Sequence, residues 1–223
     1  MNWIAIALAI MVFVLVYILY QMYTDTTPLT EKVDLKETVS AIPIGKIENN
    51  GATRYSYGVW IFVNSWSNLR EKDIFSRKMN SVDDFRLYLD KDAPKLKCAI
   101  RTGDTETETI TLTDNFPVQK WVFVIVSMDG QIADFYLDGK LVVSKKLKSL
   151  PVISKSDIQL GQPGQPADIL LTRFYRWPSP VTPQDAWKKY MDGNGISKAT
   201  LPDYGMKLVV LKDGVDQKQL NVF

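Results

Sequence analysis

The sequence predicts an all-β sandwich or barrel with one short helix near its C-terminal end, preceded by a single transmembrane helix. Three observations carry this expectation. Residues 1–24 hold no charged side chain and are almost continuously apolar. From Tyr55 to Trp177, short runs rich in β-branched and aromatic residues recur, each closed by Gly, Asp, Asn or Pro, which is the spacing of antiparallel strands. The 223 residues are 46% hydrophobic and 23% charged, a composition for one well-cored domain with attachments rather than a disordered chain.

The first element is "MNWIAIALAIMVFVLVYILYQMY". As a helix from Trp3 to Tyr23 it would rise about 31 Å, the thickness of a bilayer core. Trp3 stands at one end and Tyr17, Tyr20 and Tyr23 at the other, as interfacial aromatics do. A cleaved signal peptide would need a basic start, a shorter apolar run and a small-residue cleavage site, and none is present. Residues 1–23 are therefore expected to be an uncleaved anchor contacting lipid through residues 3–23. Lys32 and Lys36 follow the span and no Lys or Arg precedes it. The positive-inside bias then translocates the N-terminus and leaves the C-terminal domain on the cytoplasmic side of a single-pass protein. Two further features agree. Cys98 is the lone cysteine, and none of the nine asparagines opens an N-x-[ST] sequon.

Residues 24–40, "TDTTPLTEKVDLKETVS", read as a polar juxtamembrane linker leading into a first strand. The strands follow: "YSYGVWIFVN", "DIFSRKM", "DFRLYLD", "KLKCAIR", "TETITLT", "WVFVIVSM", "DIQLG" and "ADILLTRFYRW". "WVFVIVSM" is apolar on both faces, so it is a central strand covered on both sides. Asp129-Gly130 and Asp138-Gly139 are two-residue hairpin signals. In "SPVTPQDAWKKYMDGNG", Thr182 caps a helix, Pro183 opens it, Lys188 and Lys189 suit its C-terminal end and Gly193 stops it. Ala186, Trp187 and Tyr190 give that helix a short docking face. Residues 201–223 are expected to form a hairpin or tail around Asp213-Gly214.

The chain holds no histidine, which removes Ser-His-Asp and Cys-His nucleophiles and every His-based metal site. Alternation in "KLKCAIR" turns Cys98 inward with Leu96 and Ile100, where a thiol is inert. A net charge of +2 with no basic run interleaved with aromatics gives no basis for nucleic-acid binding. Glu106 and Glu108 would share one face of a strand about 6.8 Å apart. Threonines flank them, and a charged edge strand accounts for them better than an acid/base pair. Asn64, Asp73, Asp83, Asp84, Asp104 and Asp129 are available oxygen ligands, but none falls in a spaced calcium motif. No catalytic, cofactor or metal residue is assigned, and calcium is the one cofactor left open. Trp66, in the loop "NSWSNLR" with Arg70, either caps the sandwich edge or is the candidate contact for a partner protein or a glycan.

"QKWVFVIVSMDGQIADFYLDGKLV" resembles the central signature of the concanavalin A-like, laminin G-like domains. "YSYGVWIFVNSWSN", "DIFSRK" and "DIQLGQPGQPADILLTRFYRWPSPVTPQDAWKKY" follow the same pattern in the expected order. The resemblance implies a two-sheet antiparallel jelly-roll sandwich over residues 41–200. The glucanase members carry a Glu-x-Asp-x-x-Glu strand that this sequence lacks, so no enzyme is expected. The anchor and domain together are similar to the membrane and minor capsid proteins of large icosahedral DNA viruses. That similarity implies a non-catalytic structural protein at the interface of an internal virion membrane and its capsid, with capsid proteins as partners. The alternative is a membrane-anchored glycan-binding or adhesion module on a cell surface.

Overall fold

The computed structural model describes residues 3–24, 27–47, 49–103, 106–195, 207–212 and 215–221, with side chains for most of them. Helix α1 (Trp3–Thr24) has 22 residues and no charge at either end. Two antiparallel sheets follow. The six-stranded sheet holds β1 (Thr27–Asp34), β2 (Arg54–Val63), β7 (Trp121–Asp129), β8 (Ile132–Leu137), β9 (Lys140–Lys146) and β11 (Ile169–Trp177), in the order β1-β11-β2-β7-β8-β9. The five-stranded sheet holds β3 (Lys72–Met79), β4 (Val82–Leu89), β5 (Leu96–Thr102), β6 (Glu106–Thr113) and β10 (Ile158–Leu160), in the order β10-β3-β4-β5-β6. Helix α2 (Pro183–Met191) follows β11, and β12 (Lys207–Lys212) pairs with β13 (Val215–Asn221) as a separate two-stranded sheet.

The core lies between the two large sheets, as their alternation requires. Val122, Val124, Val126 and Met128 of β7 meet Phe85, Leu87 and Leu89 of β4 and Leu96, Cys98 and Ile100 of β5 in one buried cluster. The other face of β7 is also covered. Phe123 and Ile125 join Trp60, Tyr136, Trp177, Val181 and Ala186 in a second cluster under α2. This explains why β7 is apolar on both faces. Trp60 stacks on Phe123 at 5.0 Å and on Tyr190 of α2 at 5.5 Å. Thr182 caps α2 by accepting from the Asp185 N–H.

The stretch expected as a linker, residues 24–40, carries strand β1 through about half of its length. β1 pairs with β11 at the sheet edge, from Thr27 opposite Arg176 to Asp34 opposite Leu170. Its sequence, "TPLTEKVD", is polar because an edge strand has few neighbours to pack: Leu29 is buried and Val33 is partly so. Pro28 is tolerated there, beside a register shift, since an edge strand spares an N–H.

The two Asp-Gly pairs are used differently. Asp138 and Gly139 both have positive φ, 47° and 76°, and form the two-residue turn between β8 and β9. In the β7–β8 hairpin Asp129 is still in the strand, opposite Ile132, so the turn residues are Gly130, at φ 62°, and Gln131.

The register gives the sandwich two distinct ends. Thr27 pairs with Arg176, Arg176 with Tyr57, Arg54 with Asp129, Asp129 with Ile132, and Ile132 with Lys146. Pro151 bridges to Thr102, and Met79 pairs with Val82. These residues share the end at which α1 joins β1, the near end. The far end holds the start of β3, the 90–95 turn, residues 64–71, the 161–168 segment and the Asp138-Gly139 turn.

Candidate functional site

At the far end, three segments are stitched together by one carboxylate. Asp168, just before β11, accepts from the Ser65 hydroxyl at 2.6 Å and from the Asn64 amide at 2.9 Å. It also pairs with Lys36, just after β1, at 2.8 Å. The Lys36 hydrogen bond first, then that from Ser65, hold the Asp168 carboxyl below the usual carboxylate range, and the same contact raises Lys36. Asp168 thereby fixes the start of the 64–71 loop.

The loop itself is braced from beneath. Lys72 is buried, donates to the carbonyls of Ser67 and, at 3.1 Å, Arg70, and lies over the Trp66 ring at 4.1 Å. Burial, and then repulsion from Arg70, lower the Lys72 pKa. Arg70 donates to the Pro166 carbonyl at 2.7 Å. Trp66 and Arg70, the two expected contact residues, therefore lie in one loop on one end of the sandwich. Trp66 is half-buried, packed against the core on one side and covered by Lys72. The loop's exposed apolar side chain is Leu69, at 84%. The sequence points to the tryptophan as a loop aromatic able to stack or dock, and no local pattern marks Leu69.

Beside this loop runs a groove of about 180 Å³ between residues 35–39 and 159–166. Gln159, Gln162, Gln165, Lys36 and Glu37 line it with amide and charged groups. Drug-sized pockets run from about 300 Å³ upward, so this groove holds one sugar ring or one side chain, not an extended ligand.

The other acidic candidates are already engaged. Asp73 and Glu71 both bind Arg86, Asp84 pairs with Arg101 at 2.6 Å, Asp83 with Lys78 and Asp129 with Arg54. The Asp84 oxygens accept no well-aligned hydrogen bond, so charge alone holds that pair. Burial pushes the Asp73 carboxyl up, against the opposing pull of Arg86. It is closed off from solvent, which a general acid acting on a substrate must meet. Glu106 faces Lys148, and Glu108 accepts from the Lys148 N–H at 2.7 Å and from Thr102, so these two brace the β6 edge. Asp104 lies outside the described residues. Among the described residues no group of three His, Cys, Asp or Glu side chains comes together to hold a metal. Cys98 is fully buried, and burial pushes its thiol up.

Trp3 and Tyr17 are exposed on α1, and the side chains of Tyr20 and Tyr23 lie outside the described residues. The helix is apolar on every described face, with Phe13 77% exposed. Among the described residues no helix meets the length and apolarity of a membrane crossing. Apart from Trp3, the α1 side chains described run only from Ile6 to Tyr17.

Residues 37–185 match the family model of the concanavalin A-like lectin/glucanases superfamily. The chain belongs to this superfamily. Among solved structures, the binding domain of botulinum neurotoxin DC in complex with rat synaptotagmin II is 17% identical with a TM-score of 0.56, over 68% of this chain and 38% of that one. A botulinum neurotoxin type C structure, whose cell entry is described as dependent on two ganglioside molecules, is 18% identical with a TM-score of 0.54, also over 68% and 38%. The binding domain of neurotoxin DC in complex with SialylT is 18% identical with a TM-score of 0.54, over 65% and 36%. This likeness shows a shared fold, and the chain spans well under half the length of these toxin domains. No curated protein matches in sequence.

Proposed function

We propose that this superfamily member is a non-catalytic, membrane-anchored binding module that holds a protein partner through its far end. The observation that carries the reading is polarity. α1 enters the sandwich at Thr27, and the braced loop with Trp66, Leu69 and Arg70 lies at the opposite end of the sheets. A helix of 22 residues with no charged side chain, about 33 Å long, has the length to span a bilayer. Engagement of the carboxylates by arginine and lysine, together with the absence of histidine, supports binding over catalysis. The topology that fits is a translocated N-terminus with the sandwich on the cytoplasmic side. In the virion setting that the resemblance implies, the partner is a capsid protein and the module ties an internal membrane to its shell.

Glycan binding is the second reading. The amide-lined groove, whose Pro166 accepts from Arg70, has the size for one sugar ring, and two of the similar toxin structures are described with gangliosides or SialylT. Photo-crosslinking from the exposed position 68 in native membranes tests the choice. Cross-links to one protein, lost in Leu69→Asp, are expected. A blank cross-linking result with a glycan-array signal that depends on Gln162 would reverse it.

A further inference from the structure

We propose that the near end of the sandwich is a second membrane-contacting surface, fitted to the anionic headgroups of the bilayer that holds α1. The inference rests on the anchor reading above. α1 ends at Thr24 and β1 is already paired at Thr27, so three residue steps, at most about 11 Å of chain, separate the helix from the sheet. With so short a connection, the near end stays within reach of the membrane surface, and attraction to the headgroups decides whether it seats there.

The side chains at that end suit the position. Met79 and Val82, at the β3–β4 turn, are exposed. So is Ile132, just past the Gly130-Gln131 turn. Leu150 and Ile153 are exposed on the segment that follows β9, where Pro151 bridges to Thr102. Five apolar side chains on three connecting segments at one end are more than the scattered exposure of an ordinary surface.

The charges match. The carboxylates Asp83, Glu106 and Asp129 each face a cation at this end, namely Lys78, Lys148 and Arg54. Glu108 is bound by the Lys148 N–H. Lys145, Lys146 and Lys155 are exposed and carry no carboxylate partner among the described residues. Lysines beside exposed aliphatic groups are the composition that binds anionic headgroups while inserting into the interface. Anionic lipid concentrates in the cytoplasmic leaflet, which agrees with the proposed topology. Tethering does the rest: a short linker makes the second contact effectively intramolecular, so weak individual contacts suffice.

The test uses the full chain reconstituted in vesicles of phosphatidylcholine, with and without phosphatidylserine. Buried Cys98 leaves single-cysteine labelling selective. A fluorophore is placed at Leu150→Cys in one sample and at Leu69→Cys in another, with a spin-labelled lipid as quencher. Flotation is scored first, and failure to co-float refutes the anchor reading itself. If the chain floats, quenching at position 150 is expected several-fold above that at position 69, and to fall several-fold without phosphatidylserine. The triple variant Lys145→Gln, Lys146→Gln, Lys155→Gln is expected to cause the same fall in phosphatidylserine vesicles. Equal quenching at positions 150 and 69, or quenching at 150 indifferent to both phosphatidylserine and the three lysines, overturns the proposal while leaving the anchor intact. Specific capture of position 150 by a protein in native membranes, with no lipid quenching, does so as well.

Discussion

Replacing Asp168 with alanine removes the acceptor that joins Lys36, Asn64 and Ser65 at the far end. Lys36 returns to water, and its exposed pair is not counted. The two hydrogen bonds to the carboxylate are charge-assisted, but both donors can rehydrate, which sets the loss near about 1–2 kcal/mol. For a domain of this size that lowers the melting temperature by about 2–8 °C. The pH dependence is the sharper test. The Asp168 carboxyl is held below its unfolded value of about 3.9, so its contribution is complete above that pH and fades as pH falls toward the folded pKa. Thermal unfolding of wild type and Asp168→Ala, followed by circular dichroism, is expected to give a constant gap near neutrality that closes in acid. A gap that persists unchanged in acid, or no gap at neutrality, would refute the assignment of Asp168 as the charged brace of the site.

Other expectations follow from single contacts. In Gly58→Ala the new Cβ would lie 2.5 Å from the Trp177 ring and 3.3 Å from Phe123, both buried under α2, and overpacking there is expected to cost about 1–3 kcal/mol in a denaturant titration. Lys72→Met keeps the stem against Trp66 but strips the Ser67 and Arg70 carbonyls of their donor, so hydrogen exchange in the 66–71 loop should rise while the β-sheet core stays protected. Native Cys98 should resist iodoacetamide and react fully once unfolded, as read by intact mass.

Strands that pack on one or two apolar faces were legible in the sequence, because burial leaves a period. β7 announced its central place by being apolar throughout, and α2 by Thr182, Pro183 and Gly193. β1 was not legible as a strand from its composition. An edge strand held by backbone pairing needs little apolar sequence, and "TPLTEKVD" looks like a spacer. The Asp-Gly pairs marked both hairpins but not their register, since Asp129 stays in the ladder while Asp138 turns. At the candidate site the loop was found through Trp66, whereas Asp168, which organises it, lies more than a hundred residues away in sequence. No local pattern joins such partners. Leu69 and the near-end lysines gain meaning only from which end of the sheets they occupy.

Alkaline carbonate extraction of membranes containing the full chain tests the anchored-module reading most directly. Retention in the membrane pellet is expected, together with release of a chain lacking residues 1–24. Release of the full chain into the supernatant would contradict it.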